Sequence, residues 1–334
     1  MNKLIVFLGL SIALVGCKSN QETATTETKA PYKVTSPGGV VTYPRLYPKQ
    51  DYIENLVNMI ASDARGGRDT GSPGLADVAY RIENIWELSD RIEEYDGSYF
   101  DNFDVDGVKA FNMVGVLPGK DEKLKDEYVI IGAHYDHIGE GKPVGNDKIA
   151  NGANDNAAGT AAVIALSRYM ASTRTNKRSV LFVAFSAEER GLLGSKHLAA
   201  KLKQDGINVV SMINFEMIGV PMQRKYSAYL TGYDTSSMAA KFNEYTGKNT
   251  LGKLAKAEEF RLFMRSDNFP FYEQMSIPAQ TISTFDFENY EYYHDVRDEP
   301  DQLDYKFMTE LIHELIPGVV GIINAPATDI VLND

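Results

Sequence analysis

Five short segments of this 334-residue chain carry side chains able to bind a divalent metal ion: His134-Tyr135-Asp136, Asn154-Asp155-Asn156, Glu188-Glu189, Asn214-Phe215-Glu216 and Tyr293-His294. Imidazole nitrogens and carboxylate oxygens are donors that zinc accepts in mixed sets. Two such ions, about 3.5–4 Å apart, can share one carboxylate and activate a water for hydrolysis. The order of the five segments reads as a site of that kind.

Each segment also has a plain structural reading. His134 can bind an ion while Asp136 fixes its other ring nitrogen, or it can bond a backbone carbonyl at a strand end. His137 is a further candidate ligand, ranked lower. Gly152 to Gly159 is a loop of small and polar residues entering a helix at Thr160. Asp155 there can be a ligand, or the loop can cap the helix; its small residues permit close backbone approach to a metal cluster. Adjacent Glu188 and Glu189 suit a division of labour in which one binds metal and the other accepts a proton from water. They equally suit the positive end of a helix dipole. Glu216 is a ligand or a solvated loop residue. His294 lies in an aromatic and acidic stretch, Phe285 to Asp301, that otherwise reads as a surface loop. The plain readings together require several independent coincidences, because most of these segments follow an apolar run.

Those runs predict the elements that position the site. Tyr128 to Ala133 is almost wholly apolar, as expected of a strand covered on both faces. Asn112 to Leu117, Ser179 to Phe185 and Val209 to Phe215 read as further strands, with shorter ones at Ala228 to Thr231 and Ala279 to Ser283. Helical periodicity marks Asp51 to Ala61, Leu75 to Leu88, Thr160 to Met170, Leu192 to Leu202 and Gln302 to Ile323. Asp51 is the expected cap of the first of these. Strands alternating with helices of crossover length predict an α/β fold, with a mostly parallel mixed central sheet and helices on both faces. Open sheets of this type place ligands outside the carboxyl ends of their strands, where most of the five segments fall.

With 46 acidic and 34 basic residues the chain has a formal charge of −12, which disfavours a nucleic-acid partner. Leu4 to Val15 is an apolar run of signal-peptide length, too short to span a bilayer comfortably. It ends in Leu14-Val15-Gly16-Cys17, similar to the lipobox of bacterial lipoproteins, and Cys17 is the chain's single cysteine. The expected organisation is a signal peptide over 1–16, an acylated Cys17 and flexible tether over 17–47, and one catalytic domain over 48–334. The protein is then exported and held on a lipid bilayer.

In order and spacing, His134-Tyr135-Asp136-His137-Ile138-Gly139, Gly152 to Gly159, Phe185 to Ser195 and Asn214 to Gly219 resemble the secreted di-zinc aminopeptidases. That zinc exopeptidase family also includes glutamate carboxypeptidase and glutaminyl cyclase, and the likeness runs from about Asp51 to Ile323. It implies two zinc ions bridged by Asp155, one completed by Glu189 and His294 and the other by His134 and Glu216. It further implies Glu188 as general base, Asp136 as the residue orienting His134, Tyr293 as an oxyanion donor, and a cis peptide at Asp155–Asn156. Two departures stand out. Glu216 occupies a position usually held by Asp, and its extra methylene is expected to loosen that metal. Ser266-Asp267-Asn268 replaces a Ser-Asp-His found in many relatives, and Asn cannot take a proton at neutral pH.

The function these features imply is removal of N-terminal residues from peptides with a free amino terminus. A carboxypeptidase is the alternative within hydrolases, and needs a cation such as Arg261 or Arg265 for the substrate carboxylate. Glutaminyl cyclase chemistry and a non-catalytic surface-binding lipoprotein, as the transferrin receptor is non-catalytic in this family, are the others. Phe260, Phe263, Met264, Phe269, Phe271 and Tyr272 either line an apolar specificity pocket or belong to the core.

Overall fold

The computed structural model describes residues 33–36, 39–42 and 47–333. The expected signal peptide and Cys17 lie outside the described residues. Within the stretch read as a tether, the chain forms two antiparallel strands, β1 (Lys33–Ser36) and β2 (Gly39–Thr42), with Lys33 opposite Thr42.

The remaining elements follow in chain order. First come α1 (Gln50–Ile60), α2 (Pro73–Glu87), β3 (Glu93–Glu94), β4 (Phe100–Val105), β5 (Val108–Leu117), β6 (Glu127–His134), β7 (Glu140–Val144) and β8 (Asp147–Ile149). Then come α3 (Ala158–Thr173), β9 (Ser179–Phe185), α4 (Leu193–Gln204), β10 (Asn208–Glu216), β11 (Ala228–Leu230), α5 (Met238–Thr246) and β12 (Leu251–Gly252). The chain closes with α6 (Ala255–Glu259), α7 (Asn268–Met275), β13 (Ala279–Ser283) and α8 (Tyr305–Asn324). Nine strands form one sheet in the order β12-β11-β13-β10-β6-β9-β5-β3, with β4 also on β5. β13, β10, β6 and β9 run parallel in its centre. Toward the edges β5 joins β9, and β11 joins β13, in antiparallel sense. The expected mixed α/β sheet is therefore present, its parallel part concentrated in the strands that carry the site.

Burial follows from composition. Every residue of β9 is buried, as are the last six of β6, so neither strand shows polar alternation. α2 begins at Ser72, whose side chain accepts the Leu75 N–H, with Pro73 in the first turn; both are favoured there for the reasons expected of a helix start. Its apolar face (Leu75, Val78, Ala79, Ile82, Trp86) is buried, and the Trp86 indole donates to Ser167 Oγ at 3.1 Å. α1 departs from expectation at its cap. Lys49 occupies that position without a side-chain bond, while Asp51 sits in the first turn and its carboxylate accepts the Tyr52 N–H. α8 is apolar and long enough to cross a membrane by length and composition, yet most of it is buried inside the fold.

Register aligns the ends of the central strands. His134 of β6 faces Phe185 of β9, Asn214 of β10 faces Gly132, and Glu216 faces Ser283 of β13. The carboxyl ends of four parallel strands thus open on one edge, and their last residues and the segments leaving them carry most of the candidate site.

Candidate metal centre

His134 ends β6 and Glu216 ends β10; Glu188 and Glu189 follow β9; Asp155 lies in the turn entering α3; His294 comes from the loop between β13 and α8. The structure brings all of them to one cleft. Asp155 occupies the middle. Its Oδ1 is 3.3 Å from His134 Nε2, and its Oδ2 is 3.3 Å from His294 Nε2. His134 Nε2 is also 3.1 Å from Glu216 Oε1, and His294 Nε2 is 3.1 Å from Glu189 Oε2. Two donor groups therefore share one carboxylate, each oxygen facing a different group. The spacing suits an ion: a tetrahedron with ligands at about 2.0–2.1 Å has edges of about 3.3 Å. The residues present fit a pair of divalent metals, with His134, Asp155 and Glu216 on one side and Asp155, Glu189 and His294 on the other.

His137, ranked low from sequence, belongs to the second group. It is fully buried, and its Nδ1 lies 2.8 Å from Glu189 Oε1 and 3.8 Å from Asp155 Oδ2. The shorter distance is that of a charge-assisted hydrogen bond, which leaves Glu189 Oε2 facing His294.

Asp136 behaves differently from expectation. His134 Nδ1 is 3.2 Å from the Asp136 backbone carbonyl but 3.8 Å from its carboxylate. The carboxylate instead accepts the Glu188 N–H and the Thr70 hydroxyl, each at 3.2 Å. The carbonyl orients His134, and the carboxylate orients Glu188. Burial pushes the Asp136 carboxyl up to about 6 despite the nearby His134.

The loop holding Asp155 is fixed by bonds that the sequence does not announce. Asp298 accepts the Asn154 N–H at 2.7 Å and the Asp155 N–H at 3.0 Å. Asn156 donates to the Phe215 carbonyl and accepts from Gly159 N and Met217 N, which ties the start of α3 to the exit of β10. Asn156 thus bonds the first turn of α3, while the Asp155 carboxylate faces the two histidines. A Cβ on Gly159 would come within 2.3 Å of Asn156 Oδ1 and 2.6 Å of the Phe215 carbonyl oxygen, so only glycine fits. The Asp155–Asn156 peptide is cis, as the resemblance implies. Beneath the loop Arg68 is fully buried, and its guanidinium donates to the carbonyls of Tyr135, Ile60, Asn151 and Gly152. Burial lowers it to about 10, so it remains charged at neutral pH.

The longer Glu216 is anchored rather than loose, since Ser266 Oγ donates to its Oε2 at 2.9 Å. Asn268 is structural, donating to the Phe263 and Ala279 carbonyls and accepting from the Thr281 hydroxyl. Tyr293 lines the cleft, stacks on the His294 ring at 4.0 Å, and stays protonated at neutral pH because burial raises it. Of the aromatic residues proposed for a specificity pocket, Phe271 is core and Phe263, Phe269 and Tyr272 pack on one another. The cleft takes its aromatic wall from Phe285, Phe287 and Tyr293 instead.

Burial opposes charge on both imidazoles, yet the surrounding carboxylates prevail. Glu216 and Glu188 hold His134 well above the usual histidine range, and bonds to Asp155 and Glu189 hold His294 at about 10. Burial would raise Asp155, but His134 and His294 hold it far below the carboxylate range. A metal entering this site displaces those protons, so uptake releases protons and weakens as pH falls.

Residues 112–316 match the profile of peptidase family M28. The chain belongs to that family. Among curated members, it is 36% identical over 112 residues to a probable zinc metalloprotease of Pyrenophora tritici-repentis, covering 34% of this chain and 25% of that protein. It is 30% identical over 221 residues to a probable leucine aminopeptidase of Trichophyton verrucosum, covering 64% and 56%. The M28 chain thus spans a quarter to just over half the length of these curated relatives. Its fold is that of a solved zinc aminopeptidase from Bacillus subtilis, with a TM-score of 0.63 at 16% identity over 85% of this chain and 98% of the other. A solved glutaminyl cyclase from Fimbriiglobus ruber shares it too, with a TM-score of 0.63 at 18% identity over 85% and 98%. The fold alone therefore does not choose between hydrolysis and cyclisation.

Proposed function

We propose that this M28 protein is a two-zinc aminopeptidase. The observation that carries the reading is the division of the Asp155 carboxylate between two donor groups, with Glu188 on the wall of the same cleft. His134, Asp155 and Glu216 would hold one ion, and Asp155, Glu189 and His294 the other. Bound there, the ions would supply Lewis acidity and lower the pKa of a water. Glu188, held by Asp136 through its backbone N–H, takes the proton from that water and delivers it to the leaving amine. The Tyr293 hydroxyl donates to the carbonyl oxygen as negative charge develops on it. The carboxylate-rich cleft favours a substrate ammonium, and the aminopeptidase names among relatives support the same polarity.

The test is cleavage of a mixed peptide set with free and acetylated N-termini by zinc-loaded protein, read by mass spectrometry. Stepwise loss of N-terminal residues from free-amine peptides alone is the expected result. Release of C-terminal residues, or loss of ammonia from N-terminal glutamine without cleavage, would replace this reading with carboxypeptidase or cyclase chemistry.

His137 acts in this scheme by orienting Glu189. His137→Ala should weaken the ion on the Glu189–His294 side by about 10–100-fold and spare the other, as measured by chelator competition. Equal weakening of both ions would contradict the role. We also place the protein on a membrane through acylated Cys17, on the strength of the lipobox-like Leu14-Val15-Gly16-Cys17 alone. Intact mass of the N-terminal peptide from the membrane fraction should show a lipidated Cys17. An unmodified, uncleaved N-terminus would rule it out.

A further inference from the structure

The cleft runs from the candidate metal-binding side chains toward β11, β13 and the turn at 262–265. Apart from the histidines it has a single cationic lining residue, Arg265. Two neighbouring cations are committed elsewhere, Arg224 to Asp286 and Glu288 and Lys256 to Glu288, and Arg261 does not line the cleft. Among the described residues, Arg265 has no ion pair and no side-chain hydrogen bond, although its backbone N–H is fixed on the Leu262 carbonyl at 3.0 Å. The next residue, Ser266, is buried and bonded to Glu216 Oε2. An uncommitted guanidinium is therefore mounted one residue from a group that touches a candidate metal ligand.

Resting in solvent, that cation costs little. A substrate that fills the cleft removes its water, and an unpaired buried charge is then costly. A carboxylate of the substrate solves this, because the planar guanidinium binds it through two parallel N–H···O bonds. Thr231 adds a second donor to the same region: its hydroxyl oxygen accepts the Thr281 N–H at 3.1 Å, which leaves its own proton free to donate. The aromatic wall of Phe285 and Phe287 would cover the methylenes of such a residue. Discrimination follows from both sides, since a neutral group leaves the guanidinium buried and unpaired.

We propose that Arg265 forms a carboxylate-binding subsite and makes this protein selective for peptides that present a carboxylate to the cleft. That carboxylate is either the side chain of an acidic first residue or the C-terminus of a short peptide. The proposal rests on the peptidase reading for its products but not for its binding step.

Two matched pairs separate the sources: Glu-Ala-Ala-amide against Gln-Ala-Ala-amide, and Ala-Ala-Ala against Ala-Ala-Ala-amide. In the wild type, the carboxylate member of at least one pair should have a kcat/KM at least about 10-fold higher. Arg265→Gln should bring that ratio toward one, and Arg265→Lys should restore part of it. A preference in the first pair assigns the side chain, and one in the second assigns the terminus. Ratios near one in both wild-type pairs, or a ratio that survives Arg265→Gln, would overturn the proposal. Calorimetric binding of the same four peptides to the Glu188→Gln protein applies the same ratios without turnover. An absence of cleavage, or release from the C-terminal end, would therefore remove the aminopeptidase reading and leave the subsite to stand or fall by itself.

Discussion

Replacing Glu188 with Gln should lower turnover by at least about 10²-fold and leave the metal content unchanged. Gln has nearly the same shape but cannot accept a proton from water at neutral pH. Glu188 lies outside both donor groups that could hold an ion, so its amide removes a base and not a ligand. Its backbone is fixed by the Asp136 carboxylate at 3.2 Å, a bond the substitution does not touch. Stability separates this outcome from simple damage. Burial first, and then the neighbouring carboxylates, hold Glu188 well above its usual range in the metal-free protein. A carboxyl with a higher pKa folded than unfolded loses stability as pH rises above the unfolded value. At pH 7 the metal-free Glu188→Gln protein should consequently melt no lower than wild type. Near-normal turnover in this variant would show that Glu188 is not the base.

Asp155→Asn should have the broader effect, because one side chain serves both donor groups. Loss of a direct ligand should weaken each ion by more than the roughly 10–100-fold expected for an outer partner. Bound metal after dialysis, measured by elemental analysis, should fall to less than half of wild type, and activity should fall with it. The loop itself should persist, since Asp298 holds it through the Asn154 and Asp155 backbone N–H groups. Asp155 is held far below the usual carboxylate pKa by His134 and His294, against the opposing effect of burial. Its contribution to the metal-free fold is thus present above the unfolded pKa and lost on acidification. Some loss of melting temperature at pH 7 is expected, and metal should be counted on the folded fraction. Retention of both ions by Asp155→Asn would contradict a shared carboxylate.

The site was legible because its donors are tied to local patterns. Apolar runs located β6, β9 and β10, and the residues just past their ends were His134, Glu188 with Glu189, and Glu216. What the sequence hid depends on contacts between distant segments. Asp298 looks like one acid among several in a polar loop, yet it is fully buried and holds the Asp155 loop. Arg68 lies among glycines that mark a turn, and nothing local shows that its guanidinium gathers four carbonyls. His137 directly follows Asp136, and sequence gave no reason to turn it toward Glu189. The Asp136 carboxylate was assigned to His134 by spacing, whereas backbone geometry brings the Asp136 carbonyl closer and frees the carboxylate for Glu188. In the fold, α5, α7 and β4 are short or weakly patterned and escape a reading from sequence, whereas the second half of β5 is visible as Asn112 to Leu117. β6 and β9 stood out because they are apolar throughout.

The most direct measurement is anomalous X-ray scattering at the zinc edge from crystals of the zinc-loaded protein. Two peaks about 3.5–4 Å apart, one on each side of the Asp155 carboxylate, are predicted. One would be reached by His134 and Glu216, and the other by Glu189 and His294. A single peak, or peaks that do not share Asp155, would contradict the two-metal account.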